Sequence, residues 1–508
     1  MNTRIVVGIL IAILVIPLAL IMGQLAATDP VTVGIIFVVV TGALTLYGLG
    51  QHMWVLIPGS LLMKGKLAFL PGNPDPWQIA TLIVAPLMCL GFVTRTRRLE
   101  FKWTWIEWAV LLQVVAIGQS YLRNPTGLSV LGGGIVGGKH YIDYGVAFLA
   151  FTMLASVKTT PTILKRAIIL MIVIGIADAS LGVLTSVFPE AGFKLMRIYS
   201  VGNMLSMLKS LDQGIDFSLS RFAVLSGLGS IGMLICCSFW RPVASIDPRK
   251  PYRFLILVIS MVSILLSGFR GLLASSVVRF GLGSWIRKKP MDVLIVGVVG
   301  VLFLVVIIGA VDLRKLPFGI QRTLSFLPVN VSPQARESAE RSNEFRFEMW
   351  EAVLTQDKYI RNKMLGDGFG YSAIEQALME DSIFNRGGHG GDLESFIAKG
   401  SYHGFHVETI RFTGVFGLIL ATFALFVFSV RAWRVTQKYK DSSAWGAVIF
   451  LCLPMIYAPY WYWLVYGSYK VDFVLLIVSA GMLRIAEQVW NGEQGTIEEE
   501  VLNQTEIG

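Results

Sequence analysis

The stretch HGFHVETIRFTGVFGLIL, residues 403–420, decides how this chain is read. It passes from polar to apolar within a few positions, so that His403, His406, Glu408 and Arg411 stand at the mouth of a run long enough to enter a membrane. Upstream, Asp312 to Tyr402 form a polar segment rich in arginine that interrupts an otherwise apolar succession. Such an insertion is where a membrane enzyme keeps its chemistry, because ionisable groups are costly in hydrocarbon and surface loops carry function.

Working outward, composition sets the class. The 508 residues are 54% hydrophobic and 15% charged, with a mean hydropathy of +0.65, which excludes an ordinary soluble globular chain. Crossing a hydrocarbon core of about 30 Å takes about 20 helical residues. Apolar runs of that order recur near 4–23, 31–49, 77–94, 103–121, 141–157, 165–188, 220–240, 253–268, 271–285, 291–311, 403–430, 444–463 and 469–486, and Pro58, Gly59, Lys64 and Lys66 interrupt 52–70. The expectation is an all-α polytopic membrane protein of thirteen to fourteen transmembrane helices with one large extracytoplasmic loop. Its parts are an N-terminal bundle (1–311), the outer loop carrying part of the site (312–402), C-terminal transmembrane helices (403–486) and a cytoplasmic tail (487–508).

Orientation follows from the basic residues, which favour short cytoplasmic loops. Arg95, Arg97, Arg98 and Lys102 mark one such loop, and the mark recurs at Lys158–Arg166, Arg241–Arg253, Arg287–Lys289 and Arg431–Lys440. The segments 122–140, 189–219 and 312–402 then face the other side, and Arg4 favours an inside N-terminus and fourteen spans. The net charge of +10 is spent on topology, so nucleic acid is not an expected partner. Cys89, Cys236, Cys237 and Cys452 all fall in apolar spans, which indicates neither disulfides nor a thiolate metal site. No repeat or pair of broken helices supports a transporter built on duplicated halves.

The candidate residues cluster on the outer side. His403 and His406 lie on neighbouring faces of one turn, while Glu408 is about 140° around the helix from His403, so no metal set completes itself there and no metal is expected. Glu408 and Arg411 read as an intrahelical pair. His389, in RGGHGGD, sits in a glycine-rich loop that could fold over a ligand. Arg270, in LLSGFRGLL, occupies a very short outer turn where topology asks for no cation, so it needs an anion or a lipid headgroup. Arg346 belongs to RSNEFRFEMWEAV, an amphipathic helix with Phe345, Met349 and Ala352 on one stripe. Arg336, Arg341 and Arg361 add guanidinium groups that can grip phosphate with parallel hydrogen bonds. MLGDGFGYS, with Gly366, Gly368 and Gly370, reads as a tight turn and not a nucleotide loop, since no strand–loop–helix unit surrounds it.

Taken in order, four places resemble the O-antigen ligase and polymerase superfamily of bacterial inner-membrane glycosyltransferases. SGFRG (267–271) is similar to the family's Ser-x-Ser-Arg-Gly; Arg346 with Trp350 to its Arg-x-x-x-Trp; LGDGFG (365–370) to its glycine turn; and His403, Gly414 and Gly417 to its His-Asn and Gly-x-x-Gly pattern. Gly404 stands where the family has Asn and Phe269 where it has the second Ser. The resemblance covers roughly 220–430 and implies the helical, metal-independent fold that uses polyprenyl-linked donors, with no cofactor. It implies transfer of a glycan from undecaprenyl diphosphate, with inversion, to a hydroxyl of a second lipid-linked glycan (polymerase) or of lipid A core (ligase). Membrane lipids and a chain-length regulator would be its partners. In that chemistry Arg270 and Arg346 would hold the diphosphate and His403 would be the general base, with His406, Arg341, His389 and Glu408 as secondary candidates. A polysaccharide or lipid-linked oligosaccharide transporter is the alternative of another class.

Overall fold

The computed structural model describes residues 49–93, 102–126, 137–201, 222–310, 312–370, 397, 400, 402–464 and 467–506. Over these the chain is almost wholly helical, apart from a two-stranded antiparallel pair, β1 (Lys66–Leu67) with β2 (Tyr199–Ser200). In chain order the helices are α1 (Leu56–Ser60), α2 (Pro76–Val93), α3 (Trp105–Arg123), α4 (Gly138–Ala155), α5 (Pro161–Val187), α6 (Pro189–Met196) and α7 (Leu225–Ser238). There follow α8 (Pro251–Ser267), α9 (Arg270–Ile286), α10 (Met291–Ala310), α11 (Phe318–Leu324), α12 (Pro333–Thr355), α13 (Phe405–Lys438), α14 (Trp445–Leu464) and α15 (Asp472–Glu506).

Among the described residues five helices are long and apolar enough to cross a membrane: α3, α5, α13, α14 and the Asp472–Asn491 part of α15. Four more apolar stretches, Pro76–Leu90 of α2, Leu225–Ser238 (α7), Pro251–Ser267 (α8) and Met291–Leu302 of α10, are 10–17 residues long. Large apolar side chains such as Leu90, Val173, Leu255, Leu294 and Ile419 point outward, as an all-α membrane protein requires. The expected thirteen to fourteen spans are not what these residues contain. The apolar runs are there, but several of their helices stop early or carry charge. α8 has 17 residues and ends at Gly268, whose φ of 72° is left-handed, so it rises about 26 Å at 1.5 Å per residue, short of about 30 Å. α9 buries Ser275, Ser276, Arg279 and Ser284, and α4 starts with Lys139, His140 and Asp143. The runs at 4–23 and 31–49 lie outside the described residues.

Polar contacts close the bundle at both ends. At one end Arg484 pairs with buried Glu107 and, at 2.7 Å, with Glu487, while Arg241 meets Asp292 at 2.7 Å and Arg287 Nη1 donates to the Cys237 carbonyl. This end collects the described basic loops. The other end carries the 312–370 segment and the mouth of α13. α15 runs from Asp472 to Glu506 without a break at 487, so the tail begins as a continuation of the last span.

Candidate active site

The α8–α9 turn is built to present an arginine. Ser267 Oγ donates to the Ile264 carbonyl at 2.7 Å and accepts the Phe269 N–H at 3.4 Å, and left-handed Gly268 reverses the chain so that Arg270 opens α9. From α11, Arg322 donates to the Gly268 carbonyl at 3.2 Å and Thr323 Oγ1 to the Leu265 carbonyl at 3.1 Å. A Cβ on Gly319 would lie 2.3 Å from the Leu266 carbonyl, so only glycine permits this approach. Arg270 is therefore fixed at a helix N-terminus, where the backbone dipole disfavours a cation and favours an anion.

α12 receives it. Ser332 caps this helix by accepting the Ala335 N–H, and Pro333 occupies its first turn, where a missing N–H costs nothing. Ala335, Ala339, Met349, Ala352 and Val353 form its buried face. Across that contact Arg270 Nη2 donates to the Ala339 carbonyl at 2.8 Å and to Asn343 Oδ1 at 3.2 Å. Its Nε and Nη1 make no hydrogen bond among the described residues, which leaves individual N–H donors, though not a complete fork edge, for a ligand. Arg346 lies three residues beyond Asn343 on the same helix and Trp350 one turn further.

Trp350 ties α12 to the mouth of α13. Its indole N–H donates to the Tyr402 carbonyl at 2.7 Å, and a Cβ on Gly404 would lie 2.8 Å from the indole ring. Any side chain at 404 would collide here, so the indole occupies the space that a Cβ would need. Between Tyr402 and Gly404, His403 holds a φ of 51°, a left-handed conformation that a non-glycine residue keeps only where its surroundings enforce it. His406, on the next turn, packs its ring edge-on to Trp350 (4.9 Å between centroids, 76°) and parallel to Trp463 (6.0 Å, 10°), and its buried Nδ1 has no hydrogen-bond partner among the described residues.

The glycine turn sets the direction of that mouth. Gly414, inside α13, has φ 76° and ψ −178°, and segment 363–368 wedges into the break. Asp367 N–H and Gly368 N–H donate to the Arg411 and Phe412 carbonyls, while Val415 N–H and Phe416 N–H donate to the Lys363 and Met364 carbonyls. The turn thus takes over backbone bonds the helix has given up. α3 grips it from the far side through Gln119 to the Leu365 carbonyl (2.9 Å), Arg123 to the Gly366 carbonyl (2.9 Å) and Asn124 to the Asp367 carbonyl (3.0 Å). The expected tight turn is therefore structural.

Glu408 and Arg411 do not make the intrahelical pair expected of them; each has a partner in another segment. Glu408 accepts Ser468 Oγ–H at 2.8 Å and the Tyr469 N–H at 2.7 Å, and Arg411 faces Asp367 at 3.8 Å and donates to the Gly368 carbonyl. The physical reason is that the Gly414 break lets loop segments reach the first turns of α13 and offer better-oriented polar groups. Arg341 pairs with Glu337 at 2.6 Å on the exposed face of α12, a solvated pair of small energetic weight. His389 lies outside the described residues.

Of the expected residues, Arg270, Arg346 and His403 share one electrostatic environment. Burial first, and then the Arg346 charge, hold both the Arg270 guanidinium and the His403 imidazole below their ordinary pKa ranges. His403 is accordingly neutral at pH 7 and able to accept a proton. Asn343, Arg322 and the structural role of Trp350 were missed from sequence. Among the described residues no group of three His, Cys, Asp or Glu side chains could hold a metal. The chain matches no protein-family model and no curated protein.

Proposed function

We propose that the protein is a membrane glycosyltransferase of the bacterial inner membrane, a polysaccharide polymerase that moves a glycan from a polyprenyl-diphosphate donor to an acceptor hydroxyl at the outer face. The observation that carries this reading is that the helix of Arg346 receives Arg270 through Ala339 and Asn343 and, through Trp350, bonds to the Tyr402 carbonyl beside His403. Two guanidiniums beside a neutral imidazole suit a reaction that expels a diphosphate while removing a hydroxyl proton.

In this reading the acceptor oxygen bonds to the anomeric carbon as the bond from that carbon to the diphosphate oxygen breaks. His403 takes the acceptor proton, and the electron pair leaves with the diphosphate. Negative charge grows on the leaving oxygens, where Arg270, with N–H donors remaining on Nε and Nη1 and a helix N-terminus beside it, stabilises it together with Arg346. An anion placed between the two arginines offsets their mutual repulsion, which directs binding energy to the diphosphate. Trp350 and the 363–368 wedge position His403 without touching the reacting atoms.

The test is to incubate the purified full chain in detergent with a polyprenyl-diphosphate-linked oligosaccharide and chelator, and to measure chain length. Growth in chelator supports the reading. Absence of any product, or product only after a divalent ion is restored, rejects it.

A further inference from the structure

Away from this site, α9, α13 and α14 leave between them a cleft of about 660 Å³. Its wall is apolar and aromatic, with Leu282, Trp285, Trp433, Tyr460 and Leu464 among its residues, and the charged group lining it is Arg434. The floor is held rigidly: Ser429 Oγ donates to the Ile456 carbonyl at 2.8 Å, and buried Arg279 donates to Tyr457 Oη at 3.1 Å. Arg434 makes no hydrogen bond or ion pair with a described residue.

Polarity gives the cleft a direction. Gln437 Nε2 donates to the Ile286 carbonyl, so Trp285, Trp433 and Arg434 lie together at the basic end of the bundle. The opposite end is walled by Tyr460 and Leu464 and offers no cation. Tryptophans flanking an unpaired arginine mark a headgroup level, and the apolar walls continue inward from it. A phosphate entering from the outer end would find no partner here, whereas one at the basic end meets Arg434.

We propose that this cleft holds an anionic phospholipid of the leaflet at the basic end, with its phosphate on Arg434 and an acyl chain along Leu282 towards Tyr460. The lipid fills the seam between α9 and α13. These two helices carry Arg270 at one outer end and His403 just before the other, so the occupant braces both without touching either.

Native mass spectrometry of the delipidated full chain, titrated with phosphatidylglycerol, phosphatidylcholine and inorganic phosphate, tests this. Phosphatidylglycerol binds more tightly than phosphatidylcholine; Arg434→Gln weakens phosphatidylglycerol roughly fivefold, as loss of one cation near an anionic headgroup does; and Leu282→Trp, which fills the cleft, weakens both lipids. Equal binding of the two lipids by the unaltered protein would overturn the proposal without recourse to any variant. So would an Arg434→Gln protein that keeps its preference, or full displacement of the lipid by inorganic phosphate, which would leave only a headgroup site. A polyprenyl phosphate that outcompetes phosphatidylglycerol regardless of Arg434 would assign the cleft to the donor lipid instead. Failure of every lipid to bind would likewise overturn the proposal.

Discussion

The indole N–H of Trp350 donates to the carbonyl of Tyr402 across 2.7 Å, and this bond joins the helix of Arg346 to the residue preceding His403. Two segments far apart in sequence are thereby held at one place. In the proposed reaction, the cations of α12 and the base at the mouth of α13 would reach the same substrate only while that junction stands.

Trp350→Phe keeps most of the ring and removes the donor. Loss of the bond costs about 1 kcal/mol of stability, and loosening of His403 lowers turnover by about tenfold or more. Chain growth and thermal unfolding of the same detergent preparation give both numbers. Unchanged turnover would show that the junction is incidental to the site.

His403→Ala removes the proposed base. Turnover falls by about 10²–10⁴-fold while the protein stays folded in the membrane. Near-normal polymer from this variant would remove His403 from the mechanism.

Arg270→Lys keeps the charge and loses the planar fork. A lysine ammonium, a single tetrahedral nitrogen, cannot hold Ala339 and Asn343 while also donating to phosphate oxygens, so turnover drops by about tenfold. A full-rate lysine variant would assign Arg270 to the architecture of α12 alone.

Gly414→Ala addresses the wedge. A Cβ there would lie 2.2 Å from the Met364 carbonyl, on a backbone with φ of 76°, so the substitution destabilises by about 2 kcal/mol or more. The thermal midpoint falls, and the loss is visible in protein without substrate. A midpoint equal to that of the unaltered protein would mean that the 363–368 segment does not dock in the break.

How much of this was legible in the sequence depends on the range of the interaction. Apolar runs and the alternation of Arg and Lys are local signals, so the helical membrane class and the segregation of the basic loops from the 312–370 segment could be read directly. The number of spans could not, because hydropathy does not register a left-handed Gly268 that ends α8 or the buried serines and Arg279 of α9. At the site, Arg270 stood out as a cation without a topological reason, and Arg346 and Trp350 by their helical spacing. Glu408 and Arg411 were misread because spacing on one helix pairs them, whereas the break at Gly414 admits Asp367 and the 468–469 backbone, which no local pattern announces. The same long-range fit explains why Asn343 and Arg322 gave no signal.

The most direct measurement of the central claim is a pH titration of the His403 imidazole by NMR, on protein labelled at histidine, with Arg346 intact and with Arg346→Gln. Burial and the neighbouring guanidinium both oppose protonation, so the midpoint lies below the ordinary value of about 6.5 and moves up towards it when the Arg346 charge is removed. A midpoint at or above 6.5 that ignores the Arg346 substitution would contradict the account, because base and cation would then not share a site.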